Sequence, residues 1–178
     1  VAVGRDWLIP SMSIGHSIAC IDAADQLIVE VNETQPLALQ EIHDVYEIGG
    51  LPGRDPIPLV EPDGQIGNAK ISFPAEKLIS VVETSIHDSP YSFREPTEND
   101  LQIAQNFGSF LTEEIRSNPL FTDRVTLQFG VGSLGNALMS QLETVDFRDR
   151  EVAYFGEVIQ DGLLDLIDSG RISVASAT

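Results

Sequence analysis

Short apolar runs rich in β-branched residues alternate along the chain with segments whose apolar residues recur every three or four positions. Leu27 to Val31 ("LIVEV"), Leu78 to Glu83 ("LISVVE"), Val125 to Phe129 and Val152 to Phe155 are runs of the first kind and read as strands. The first two are so continuously apolar that they are expected inside a sheet, covered on both faces. Leu101, Ala104, Phe107, Phe110, Leu111 and Ile115 instead fall on one side of a predicted helix. It starts after Thr97, an N-cap residue with Asp100 in the first turn, and stops near Asn118-Pro119. Two further helices are predicted, one ending near Leu142 and one over "GLLDLIDSG", with Asp161 as its cap and Gly170 closing it. Strands alternating with helices predict an α/β fold on mainly parallel sheets.

Two stretches interrupt the pattern. "EIGGLPGRDPIPLVEPDGQIG" holds too much Gly and Pro for a helix or a central strand and is expected to be a long, ordered loop. "HDSPYSFREPTEND" has the character of a linker, so the predicted domains are 1–90 and 91–178.

Composition narrows this frame. The 178 residues, 42% of them hydrophobic, suffice for one good core or for parts of two domains. Among them is no apolar run near the ~18 residues of a membrane span. A formal net charge of -18, from 28 acidic and 10 basic residues, argues against nucleic acid and anionic membranes as partners. The acids are spread through every segment, as on a halophilic surface in a salt-rich cytoplasm, where charge is screened within about 3 Å at 1 M. Cys20, the single cysteine, has no intrachain partner and reads as a small buried residue. His16, His43 and His87 have no metal-site spacing and are expected to be hydrogen-bonded or exposed, and Trp7 to pack. Arg54 in "PGRDP" either steadies a substrate carboxylate or pairs with Asp55 or another acid. The chain opens on Val1 and stops in the strand-like "RISVASAT", and so reads as a fragment of a longer protein.

Candidate chemistry concentrates in "VTLQFGVGSLGNALMSQL", where a strand enters Gly130-Val131-Gly132-Ser133-Leu134-Gly135, a GxGxxG, and then a helix. Such a turn lets backbone N–H groups approach a dinucleotide pyrophosphate, with an acid near the end of the next strand, here Glu157, on the ribose. It also suits a plain tight turn or another phosphate-bearing ligand, because a lone GxGxxG is weakly specific. Glu157 follows a buried strand and lies at the carboxyl edge of the predicted sheet, where a nucleophile would be placed. Asp161 is the better cap for the following helix, which leaves Glu157 poorly explained as a capping residue.

"YFGEVIQDGLLDLIDSGRISVASAT" and "LQFGVGSLGNAL" closely resemble the acetyl-CoA hydrolase and succinyl-CoA:acetate CoA-transferase family, the class I CoA-transferases. The resemblance extends through "GRDWLIPSMSIGHS", "LIVEVNETQP", "EIHDVY", "DPIPLVEPDGQIG" and "EKLISVVET", and so covers essentially the whole chain. It implies that residues 1–90 are the latter part of an N-terminal CoA-transferase domain, and 91–178 the first part of a C-terminal one. In that family the glutamate of E-V-I-Q-D-G forms a glutamyl-CoA thioester, a place taken here by Glu157. The G-V-G turn lines the thioester and gives a backbone N–H to the oxyanion, which falls on Val131. Leu127, Gln128, Phe129, Gly130 and Gly132 are then the remaining coenzyme A-binding residues.

The activity so implied is ping-pong transfer of coenzyme A from acetyl-CoA or succinyl-CoA to a short-chain carboxylate, with coenzyme A as substrate and no tightly bound cofactor. The whole protein is expected to be a cytoplasmic homodimer. Acetyl-CoA hydrolysis at the same site, an NAD-binding oxidoreductase and a non-catalytic binding module are the alternatives. Two positions depart from the family, which usually has Asn at Ser133 and Thr at Gly156, the latter expected to loosen the turn that aims the nucleophile. Family members are two to three times this length, and their second glycine loop lies beyond Thr178. The 178 residues alone are therefore expected to turn over no acyl-CoA.

Overall fold

The computed structural model describes residues 1–50, 52–89 and 91–177. Leu51 in the predicted loop, Pro90 in the predicted linker and Thr178 lie outside the described residues. The chain divides into two compact units, one of Val1–Val60 with Gly64–Pro90, the other of Glu61–Asp63 with Tyr91–Thr178.

In the first unit, β1 (Ala2–Val3), β2 (Trp7–Ile9) and β4 (Ile71–Ser72) form an antiparallel sheet in the order β1-β2-β4. Helix α1 (Ser17–Ala23) precedes β3 (Leu27–Asn32), which pairs in parallel with β5 (Leu78–Thr84). Ile21, Val45, Ile71 and Phe73 make the core, joined by half-buried Leu27 and Leu78. The expectation that β3 and β5 are covered on both faces is overturned. Within the described residues they pair only with each other, and Ile28, Ile79, Val81 and Val82 are exposed. Continuous apolar character shows that a strand is suited to burial; it does not supply the layers that bury it.

The predicted loop, residues 47–67, is tied together at its ends. The Asp44 carboxylate accepts the N–H groups of Ile66 and Gly67, and Val45 bridges to Asn68. Cys20 is exposed, against expectation; in the short α1 the buried residue is Ile21. Trp7 packs under the Lys70 ammonium, 4.0 Å from its ring centre.

The second unit is a three-stranded parallel sheet, β6 (Arg124–Leu127), β7 (Glu151–Gly156) and β8 (Val174–Ala177), in that order. It carries α2 (Glu98–Ser117), α3 (Ser133–Leu142) and α4 (Asp161–Asp168). Thr97 and Asp100 close a capping box at the start of α2, as their spacing predicts. Ala104, Leu111 and Ile115 are buried as expected, whereas Leu101 and Phe110, at the margins of the predicted stripe, are exposed. Ile115, Val125, Met139, Tyr154, Leu163 and Leu166 fill the core. At the end of α4 the N–H groups of Gly170 and Arg171 return to the carbonyls of Ile167 and Leu166, closing the helix at the predicted glycine. No helix among the described residues is long and apolar enough to cross a membrane. The α/β expectation is thus borne out, with parallel pairing in both units.

Candidate functional site

Strands β6 and β7 run parallel with Leu127 opposite Tyr154, so the chain leaves both at the same edge of the sheet. That carboxyl edge is where open α/β sheets hold ligands. From β6 the backbone enters the glycine turn; from β7, at Gly156, it enters the loop bearing Glu157. The two predicted loci are therefore brought to neighbouring strand ends.

The three glycines of GxGxxG have different work. Gly132 has φ 124° and ψ -177°, a conformation essentially closed to residues with a Cβ. A Cβ on Gly135 would stand 2.2 Å from the Gly130 carbonyl oxygen, so this glycine lets the first turn of α3 close against the turn that precedes it. Gly130 is open to solvent, with nothing near where its Cβ would be. Between Gly130 and Gly132, Val131 is half exposed, and its N–H donates to no acceptor among the described residues. The Gly132 N–H is engaged, donating to Gln160 Oε1 at 3.0 Å.

The remaining predicted binding residues divide by side chain and backbone. Phe129 is buried, edge-on to Phe107 and stacked at 6.5 Å from Tyr154, and Leu127 packs against the same core. Their side chains hold the sheet, so only their backbone borders the turn. Gln128 is exposed.

Glu157 is exposed beyond the end of β7 and takes no part in capping α4, which has no side-chain cap. Nor is Asp161 the cap, a correction to the sequence reading: the N-cap position belongs to Gln160, and Asp161 is the first helical residue. There its charge still favours the helix N-terminus. Gln160 is buried and turns its side chain to the glycine turn instead of to its own helix.

Sequence reasoning missed two residues that shape this edge, Gln160 and Tyr154. Tyr154 is fully buried, its hydroxyl 3.3 Å from the Phe129 carbonyl oxygen and 3.1 Å from that of Val158. Burial raises the pKa of this hydroxyl, and the Glu157 charge pushes the same way. At Gly156, expected to loosen the turn, the structure shows a steric reason for glycine. A Cβ there would meet the Tyr154 hydroxyl at 2.2 Å, so the space is filled by the tyrosine that binds the loop.

Elsewhere, His43 Nε2 lies 2.9 Å from the Pro10 carbonyl oxygen, and His16 and His87 are exposed. Arg54 does not pair with Asp55; its Nε donates to the Gly49 carbonyl at 2.8 Å. No group of three or more potential metal ligands occurs among the described residues.

A succinyl-CoA:acetate CoA-transferase of Clostridium kluyveri is 34% identical to this chain over 171 residues, covering 96% of the chain and 31% of that protein. The resemblance read from the sequence is borne out. Acetyl-CoA hydrolases of Candida albicans and Saccharomyces cerevisiae are 31% and 30% identical, each over 96% of the chain and 32% of the relative. The chain thus spans about a third of the length of the curated relatives it matches. Its fold is shared with RipA from Yersinia pestis, at a TM-score of 0.57 and 20% identity over 95% of this chain and 30% of that one. No protein-family model matches.

Proposed function

We propose that this chain carries the nucleophile-bearing part of an enzyme that moves coenzyme A between an acyl-CoA and a short-chain carboxylate, with Glu157 as the nucleophile. The observation that carries the reading is the juxtaposition at one sheet edge of Glu157 and a glycine turn whose Val131 N–H has no protein acceptor among the described residues. Relatives named as CoA-transferase and acetyl-CoA hydrolase, matching almost the whole chain, supply the substrate class.

The chemistry follows from the groups present. A Glu157 carboxylate oxygen attacks the thioester carbonyl carbon, and the Val131 N–H meets the tetrahedral oxyanion. Collapse breaks the carbon–sulfur bond, releasing CoA thiolate and leaving an acyl-glutamyl anhydride. The thiolate attacks the glutamyl carbonyl and expels the first carboxylate, so coenzyme A is held as a Glu157 thioester. A second carboxylate attacks that thioester and reverses the sequence, leaving with coenzyme A. Leu127, Gln128, Phe129, Gly130 and Gly132 border the bound thioester through the turn. If water takes the place of the second carboxylate, it releases coenzyme A and restores the Glu157 carboxylate, and the site is a hydrolase, so exclusion of water sets the balance. Transfer is the reading preferred here, supported by the Clostridium kluyveri relative.

The test is made on the natural protein that carries this chain. Incubation with acyl-CoA and no acceptor leaves a CoA-sized mass on the peptide containing Glu157, and borohydride reduces that thioester and fixes the loss of activity. Glu157→Gln and Glu157→Ala lower kcat on the order of a thousandfold or more with folding little changed. An adduct on Asp161 or another acid, or near-normal transfer by Glu157→Ala, would remove Glu157 from the mechanism.

A further inference from the structure

Two side chains outside the reacting groups join the glycine turn to the glutamate loop, and both are buried. Gln160, the last residue of the loop, accepts the Gly132 N–H through Oε1. Tyr154, three residues before Glu157, places its single hydroxyl proton between the Phe129 carbonyl at the start of the turn and the Val158 carbonyl just after Glu157. From this geometry we infer that Tyr154 and Gln160 are positioning residues, a two-point clamp that fixes the distance between the Glu157 loop and the oxyanion-binding turn. The inference rests on the assignment of Glu157 and Val131 made above.

The physical case has three parts. The contacts bracket both loci: Phe129 and Gly132 flank Gly130-Val131, while Tyr154 and Gln160 flank Glu157. The clamp is also selective, because an N–H already bonded to a buried amide oxygen is a poor donor to a transient oxyanion. With Gly132 so engaged, the oxyanion is left to amides such as that of Val131, which has no acceptor among the described residues. Finally, the clamp is built into the packing. Tyr154 is fully buried, the site of a Cβ on Gly156 is filled by its hydroxyl, and a Cβ on Gly135 would come within 3.3 Å of Gln160 Nε2. That Nε2 is buried with no hydrogen-bond partner among the described residues, so it is the Oε1 contact that accounts for burying the amide. Neither residue reaches the reacting atoms by these contacts; both act through backbone they hold.

The test uses Tyr154→Phe, which removes one oxygen, and Gln160→Leu, which removes the acceptor at similar volume, in the natural protein. A displacement of about 1 Å between reacting groups costs up to about a hundredfold in rate. Each variant is therefore expected to lower kcat by about tenfold or more and to slow adduct formation on Glu157 in proportion, with KM for acyl-CoA within about twofold. Hydrogen exchange supplies a readout that needs no chemistry: the Gly132 amide exchanges faster in Gln160→Leu while the amides of β7 keep their protection. Unchanged kcat in both variants, or unchanged exchange at Gly132, would overturn the clamp. Should Gln160→Leu fail to fold, the kcat of Tyr154→Phe decides alone. Absence of any wild-type adduct on Glu157 would instead sink the functional reading, while Gly132 exchange still reported on the clamp.

Discussion

Strand β7 of the second unit and strand β5 of the first are similar in apolar content and opposite in fate. In β7, Val152, Ala153 and Tyr154 are at most 3% exposed, flanked by β6 and β8 and covered by helices whose Met139, Leu142, Leu163 and Leu166 close the core. In β5, Ile79, Val81 and Val82 remain 44–53% exposed beside a single partner strand. A strand sequence states a capacity for burial, and neighbouring layers decide whether it is used. The candidate site lies on the side of this comparison where the layers are complete. The proposed nucleophile, Glu157, thus follows a strand buried on both sides.

The largest effect that can break the comparison comes from truncating the two interiors. Leu163, fully buried beneath the sheet of the second unit, is expected to cost about 2–5 kcal/mol as Leu163→Ala. Val81→Ala on the exposed face of β5 is expected to stay within about 0.5 kcal/mol. Denaturant unfolding of the two variants measures both. A cost for Val81→Ala approaching that of Leu163→Ala would show that the β5 face is covered in solution.

A smaller effect probes how tightly the second unit grips its functional loop. Gly156→Ala puts a methyl group where the Tyr154 hydroxyl and ring already lie, at 2.2 and 2.4 Å, and overpacking of this kind costs about 1–3 kcal/mol. Adding Tyr154→Phe removes the hydroxyl and leaves the ring, so the double variant is expected to recover part of the loss and to depart from additivity. Strict additivity in a double-mutant cycle would mean that the ring and residue 156 are not packed together.

What was legible in the sequence follows the same division. The second unit announces itself, because α2, the glycine turn and α4 each combine periodic apolar residues with a start or stop signal, and Thr97, Asp100 and Gly170 perform as their types suggest. The proximity of Glu157 to the turn was legible from strand order alone. Tyr154 and Gln160 were not, since tyrosine in a strand and glutamine at a helix start have no local signature of the carbonyl or amide they meet across the sheet. Asp161 was misread for a related reason. An acid near a helix start suits either the cap or the first turn, and the choice was made by Gln160 reaching to Gly132. In the first unit the apolar runs of β3 and β5 were read correctly as strands, but their surroundings depend on layers that no run of residues specifies.

The smallest expected effect is confined to the start of α2 and sharpens the comparison by loading only the second unit. The Asp100 carboxylate accepts the Thr97 N–H and hydroxyl and the Arg94 guanidinium, each at 2.8 Å. The Thr97 backbone bond, then Arg94 and the Thr97 hydroxyl, draw its pKa down to about 2 from an ordinary 3.8. Because the folded value is the lower one, the carboxylate contributes stability in full above about pH 4. That contribution fades as pH falls through about 2, where the folded state too takes up the proton. Asp100→Asn keeps the shape and loses the charge, so its melting temperature is expected to lie below wild type near neutrality and to converge with it as pH approaches 2. Thermal melts of both proteins between pH 2 and pH 6 check this sign. A gap that stays constant across that range would show that the α2 cap is held by shape and hydrogen-bond geometry rather than by the ionised carboxylate.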